Sequence, residues 1–169
     1  NQLGLDKVYL MPTYLPPHVD EKKTISSEHR LAMLELAVAD NPCLDIEPIE
    51  LIRKGKSYTY DTMKALKEAN PDTDYYFIIG GDMVEYLPKW HRIDDLLHLV
   101  QFVGIRRPNY PTESTYPIIW VDVPQMAISS TLIRQKVKSG CSTRYLLPEN
   151  VINYIQEKGL YQDELDNKL

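Results

Sequence analysis

The sequence predicts an α/β fold built on a parallel sheet with helices on both faces. Two observations predict it. Short apolar runs that read as buried strands alternate with helical patterns over most of the 169 residues; that order calls for parallel strands joined by crossover helices. Several of the runs also lead into loops carrying glycine, arginine or serine, and such sheets bind ligands outside the carboxyl ends of their strands. The length fits one domain. We expect that domain over residues 1–161 and a frayed polar tail over 162–169.

The elements follow in order. Lys7 to Met11 reads as a short buried strand stopped by Pro12. A loop to Lys23 carries Pro16-Pro17-His18. Ser26 or Ser27 caps a helix reaching about Asp40, with Leu31, Leu34 and Val38 on one face. Leu44 to Leu51 alternates in part and gives a second strand. Arg53 to Ser57 is a basic turn, and Tyr58 to Ala69 a helix ended by Asn70-Pro71. Tyr75 to Ile79 is the clearest buried strand and runs straight into Gly80-Gly81-Asp82. A short helix through Met83–Leu87 leads to Pro88-Lys89-Trp90-His91. Ile93 to Val100 reads as a helix, Phe102 to Ile105 as a strand ending in Arg106-Arg107, and Ile118 to Val123 as another strand. Ser129-Ser130 start a helix through about Lys138. Pro148 opens the last helix and Gly159 closes it.

Composition narrows the function. With 43% apolar and 25% charged residues the chain is an ordinary globular one. Its net charge of −5 excludes a generic nucleic-acid or membrane-surface binder. Phosphate chemistry therefore needs a local site that overrides the global sign. Cys43 and Cys141 stand far apart in no metal-like spacing, which points to a reducing, cytoplasmic compartment. The four histidines show no HExxH pattern. No apolar run approaches membrane-spanning length. The opening residues form neither a signal nor a transit peptide and lack an initiator Met, so we expect a segment upstream.

Gly80-Gly81-Asp82, Arg106-Arg107 and Ser129-Ser130 are each expected directly after a strand, hence on one edge of the sheet. After a strand, Gly81 would let a ligand approach the backbone, and Asp82 would accept hydrogen bonds from ribose hydroxyls; the simpler alternative makes Asp82 an N-cap. Ser129 and Ser130 offer hydroxyls and free amides at a helix start, and Arg134, one turn on, can reach the same anion. The alternative is a plain serine cap beside an exposed arginine. Trp90 could stack on a planar heterocycle or simply pack. The helix start at Ser57–Asp61 could bind a carboxylate or be a simple cap. His18 either touches phosphate or is solvated. Tyr110 to Tyr116 is open between a lid loop and an interface.

Six stretches in order carry a resemblance that none carries alone: Leu10-Met11-Pro12 to His18; Lys56-Ser57-Tyr58-Thr59-Tyr60-Asp61-Thr62; Phe77 to Asp82; Pro88-Lys89-Trp90; Ile128-Ser129-Ser130 to Arg134; and Tyr145 to Glu149 through Gly159-Leu160-Tyr161. From about Leu3 to Tyr161 the chain resembles bacterial nicotinate-nucleotide adenylyltransferase. The resemblance implies a Rossmann-like nucleotidyltransferase fold. It implies AMP transfer from ATP, with Mg²⁺, to nicotinate mononucleotide, giving deamido-NAD and pyrophosphate. It places Gly81 and Asp82 at the ATP ribose, Ile105 and Arg106 beside the adenine, and Ser129, Ser130 and Arg134 on the triphosphate. Ser130 and Arg134 are its catalytic residues. Trp90 would stack on the pyridine ring, and backbone amides at Thr59 and His91 would bind the nicotinate carboxylate. No residue is assigned to a resident metal.

The family also opens with a strand, a glycine-containing loop and an H-x-G-H motif, which these residues do not include, so the expected domain is N-terminally incomplete. Val19 also follows His18, where the family often has lysine. Two other functions stay open: a silent, truncated nucleotide-binding module, and an adenylyltransferase preferring nicotinamide mononucleotide. A homodimer is also left open. A dehydrogenase is not expected, because no GxGxxG opens a helix.

Overall fold

The computed structural model describes residues 2–15, 25–107, 110 and 113–162. The expectations for Pro16-Pro17-His18-Val19 and for the tail beyond Gln162 lie outside the described residues. The chain groups into two compact units: Leu3–Lys56 with Ala127–Leu169, and Ser57–Met126 with Gln2.

In the first unit, strands β1 (Val8–Leu10) and β2 (Leu44–Ile46) pair in parallel, Val8 opposite Leu44 and Leu10 opposite Ile46. Helix α1 (Ser27–Val38) connects them, with the Ser26 hydroxyl accepting from the His29 amide at its start. Helix α2 (Ile49–Arg53) corrects the expected strand over Leu44–Leu51, which ends at Ile46. Pro48 has no amide to give a sheet. The Glu47 carboxylate accepts from the Ile49 amide instead and opens a helical turn. Leu31 and Val38 share one face of α1, as expected, and a second face is apolar too. Met33, Leu36 and Ala37 pack on the core, whereas Leu31 and Val38 lie beside Ile46 and Pro48. Two neighbours share this helix, so its apolar residues spread round the axis and none is fully buried.

Helices α6 (Ser130–Lys138) and α7 (Glu149–Glu157) complete this unit. Val151 and Ile155, one turn apart, join Ile25 and Leu160 in its core. Both helices end alike. After α7, Gly159 turns left-handed at φ 63°, its amide reaches Gln156 O, and the Leu160 amide reaches Ile155 O. After α6, Gly140 (φ 66°) and Cys141 repeat the pattern on Val137 and Lys136. In each, the glycine lets two spare carbonyls find donors.

The second unit is a three-stranded parallel sheet in the order β3-β4-β5. Its strands are β3 (Tyr75–Gly80), β4 (Val100–Ile105) and β5 (Ile118–Val121). Helix α3 (Thr59–Ala69) precedes them, and short helices α4 (Gly81–Val84) and α5 (Ile93–Leu96) join β3 to β4. The expected helix over Ile93–Val100 stops at Leu96, because Val100 pairs with Tyr75 and starts β4. The last strand ends at Val121, short of Val123. One sheet face carries Phe77, Ile79, Phe102, Ile118 and Trp120 into a core with Tyr60, Met63, Leu87 and Leu96, the last two with no exposed surface.

Gly104 sits opposite Trp120 in this sheet. A side-chain carbon there would lie 2.7 Å from the indole and 2.8 Å from Ile118. Gly104→Ala should therefore overpack the core and cost about 1–3 kcal/mol; urea unfolding measures it. An unchanged midpoint would show that Trp120 repacks freely.

Candidate active site

The carboxyl edge of the β3-β4-β5 sheet gathers two of the three expected stretches. Ile79 leads into Gly80 and Gly81 at the end of β3, and Ile105 into Arg106 and Arg107 at the end of β4. Parallel pairing of Gly80 with Ile105 brings these ends side by side. Gly81 is buried. A side-chain carbon on it would come 3.1 Å from the Ile105 carbonyl oxygen, so the residue's lack of a side chain lets α4 start against β4. Asp82 is not the N-cap of α4: that position belongs to Gly80, without a side-chain bond. Instead the Asp82 carboxylate faces Arg107, Oδ1 to Nε at 3.5 Å, half open to solvent. This ion pair is the contact that sequence reasoning missed; its one signal was two arginines closing a strand beside an acid closing its neighbour.

Arg106 is held separately. Its guanidinium donates to Asp122 at 2.7 Å, its carbonyl accepts from Gln125 at 2.9 Å, and its amide donates to Val121 O at 3.2 Å. The turn after β4 is thus fixed on both sides, and Ile105 caps the strand just before it.

Thr59, Trp90 and His91 come together beside the same sheet. Thr59 opens α3 behind Tyr58, which gives no side-chain cap, so the first-turn amides keep their donor capacity. Ser57 is 3% exposed and its hydroxyl has no partner. His91 stacks at a tilt on Tyr58, centroids 4.6 Å apart, and meets Tyr60 edge-on at 6.4 Å. The Arg92 guanidinium lies 4.1 Å over Tyr60, its backbone left-handed at φ 53°. Trp90 meets Phe77 and Phe102 edge-on, both at 5.9 Å, and its buried indole N–H is unpaired. Its ring is a packing residue on these sides while staying partly open.

In the first unit, the Ser129 hydroxyl accepts from the Leu132 amide at 3.2 Å, as an N-cap does. Ser130 is exposed at the first position of α6, and Arg134 reaches back to Thr131 Oγ1 at 3.4 Å. Among the described residues Arg134 makes no ion pair. Ser129 does not follow a strand directly, as had been expected: β5 ends at Val121 and residues 122–129 are irregular.

Known proteins show the family and the fold. A family profile described as cytidylyltransferase-like matches residues 1–136. A probable nicotinate-nucleotide adenylyltransferase of Streptococcus mutans is 62% identical over 161 residues, 95% of this chain and 77% of that protein. The relative of the same name from Streptococcus pneumoniae serotype 4 is 62% identical over 160 residues, with the same two coverages. The chain belongs to the nicotinate-nucleotide adenylyltransferase family. It is a nucleotidyltransferase, and the family acts in NAD biosynthesis. Solved structures agree on the fold. The Plasmodium falciparum nicotinic acid mononucleotide adenylyltransferase complexed with NaAD superposes with a TM-score of 0.74 at 18% identity, covering 95% of this chain and 85% of that one. A putative nicotinate-nucleotide adenylyltransferase of Vibrio parahaemolyticus gives 0.67 at 17%, covering 95% and 81%.

The cap at α6 is testable alone. Ser129→Ala should destabilise the protein by about 1 kcal/mol, because one first-turn amide loses its acceptor; Ser129→Gly should cost only a few tenths. Thermal unfolding of both distinguishes a cap from a residue without a structural part, for which neither would shift the midpoint.

Proposed function

We propose that this chain transfers the adenylyl group of ATP to nicotinate mononucleotide, giving deamido-NAD and pyrophosphate. The observation that carries the reading is one sheet edge at which the Asp82–Arg107 pair stands beyond Gly80-Gly81, while an uncapped α3 start meets Trp90 and His91 in the same unit. In this reading Gly81 and Asp82 take the ribose of ATP, and Ile105 and Arg106 flank the adenine. Ser129, Ser130 and Arg134 hold the triphosphate at the start of α6. The open part of the Trp90 ring stacks on the pyridine. The amides of Thr59 and His91 donate to the nicotinate carboxylate, which favours the acid over the amide.

The chemistry asks for no protein nucleophile. A phosphate oxygen of nicotinate mononucleotide attacks the α-phosphorus in line, and the bond to the β-phosphate breaks. The residues align the two substrates and neutralise charge on the leaving pyrophosphate. Ser130 and Arg134 stand nearest that charge in this assignment. Among the described residues no group of three His, Cys, Asp or Glu comes together to hold a metal. Mg²⁺ would travel on the phosphates of ATP, as this ion commonly does, and would offset their charge. A cytoplasmic setting belongs to the same proposal. Both cysteines are free and exposed, and among the described residues no helix is long and apolar enough to cross a membrane.

Pyrophosphate release with ATP, Mg²⁺ and nicotinate mononucleotide tests the reading, with the amide analogue alongside. We expect release with the acid and a markedly lower kcat/KM with the amide; equal rates would remove the assigned carboxylate contacts. Arg134→Ala should lower kcat/KM by roughly 100-fold or more. Near-normal turnover in that variant would remove the triphosphate role.

A further inference from the structure

Arg30, in the first turn of α1, has a partner set that its structural surroundings leave incomplete. Its Nη1 donates to the Thr13 carbonyl at 2.7 Å and its Nη2 to the Tyr14 carbonyl at 3.5 Å. Its Nε is buried and unpaired. Among the described residues no carboxylate neutralises it. A half-buried guanidinium normally finds a counter-charge, since burying an unpaired charge is costly. Two carbonyl dipoles hold the group, and its charge is left unneutralised among the described residues.

The surroundings say where that charge acts. Thr13 and Tyr14 follow the carboxyl end of β1, the end at which parallel strands present ligands. Leu15, the next residue, bridges to Lys56. Tyr161 packs on the core of the same unit, and the charges of Arg30 and Arg134 both act on its hydroxyl. Burial pushes the Tyr161 pKa up, while the two arginines pull it down. Two arginines without ion-pair partners among the described residues thus act on one phenol, and Arg134 is the one already assigned to the triphosphate.

We propose that Arg30 is a positioning residue for the polyphosphate of ATP: its planar fork fixes the loop after β1 through two consecutive carbonyls and adds a positive charge to the unit that carries Arg134. The proposal rests on the functional reading above. It explains an arginine here, since the ammonium of lysine cannot span two carbonyls in one plane. The side chain acts through the loop and through its field, and its assigned part ends at binding.

Arg30→Lys keeps the charge and loses the fork; Arg30→Met loses both. For each, calorimetry measures the Kd for ATP with Mg²⁺ and for nicotinate mononucleotide, and hydrogen exchange follows residues 11–15. We expect both variants to weaken ATP roughly tenfold or more, to leave nicotinate mononucleotide unchanged, and to speed exchange at Tyr14 and Leu15. Parent-like ATP affinity in Arg30→Lys would overturn the proposal, even if Arg30→Met were weak, because bare charge would then suffice. Equal weakening of both ligands would also overturn it, as general structural damage. Those outcomes leave the functional reading standing as long as the parent binds ATP; a parent that binds no ATP removes both.

Discussion

The close backbone approach after β3 is the constraint on which the second unit depends. Parallel pairing sets Gly80 beside Ile105, and any side chain on Gly81 would press on the Ile105 carbonyl. Without that side chain α4 can begin immediately against β4. Asp82 is then delivered to Arg107, and Val84 and Leu87 turn into the core. A looser turn would move the acid away from the strand edge and uncover the apolar residues behind it. Glycine here serves the packing of the turn and the geometry of the edge together.

A chain with net charge −5 has to bind phosphates locally. The structure offers local means. Arg106 and Arg107 are each steadied by one carboxylate, while Arg30 and Arg134 have none among the described residues. Steadied arginines keep their heads in place with little net charge, which suits a planar base or a ribose. Unneutralised ones retain the field that a polyphosphate needs. The helix starts differ as well: α6 carries a serine cap, and α3 opens behind Tyr58 with none.

Much of this was legible in the residues. The strands over Tyr75–Ile79, over Phe102–Ile105 and from Ile118, and the helices starting near Tyr58, Ser130 and Pro148, follow from apolar runs and from Ser, Pro and Gly at their ends, while Val100, expected in a helix, starts its strand instead. The family was legible because six weak stretches occur in order. The misreadings had local causes. Partial alternation at Leu44–Leu51 suggested a strand, but Pro48 removes a sheet donor and Glu47 caps a helix. The second packed face of α1, with Met33, Leu36 and Ala37, was not singled out because the helix packs on two sides and its apolar residues spread round the axis. The partners of Arg30, Asp82 and Arg106 could not be read, because each pairs with residues brought close by strand register or by a loop rather than by sequence spacing.

The most direct test is a calorimetric titration of ATP into folded Gly81→Ala beside the parent protein. The added methyl must push α4 a few tenths of an ångström from the Ile105 carbonyl, and Asp82 with it. We expect a folded variant that binds ATP about tenfold more weakly or worse, since small displacements at a binding edge are expensive. A folded variant that binds ATP as tightly as the parent would contradict it.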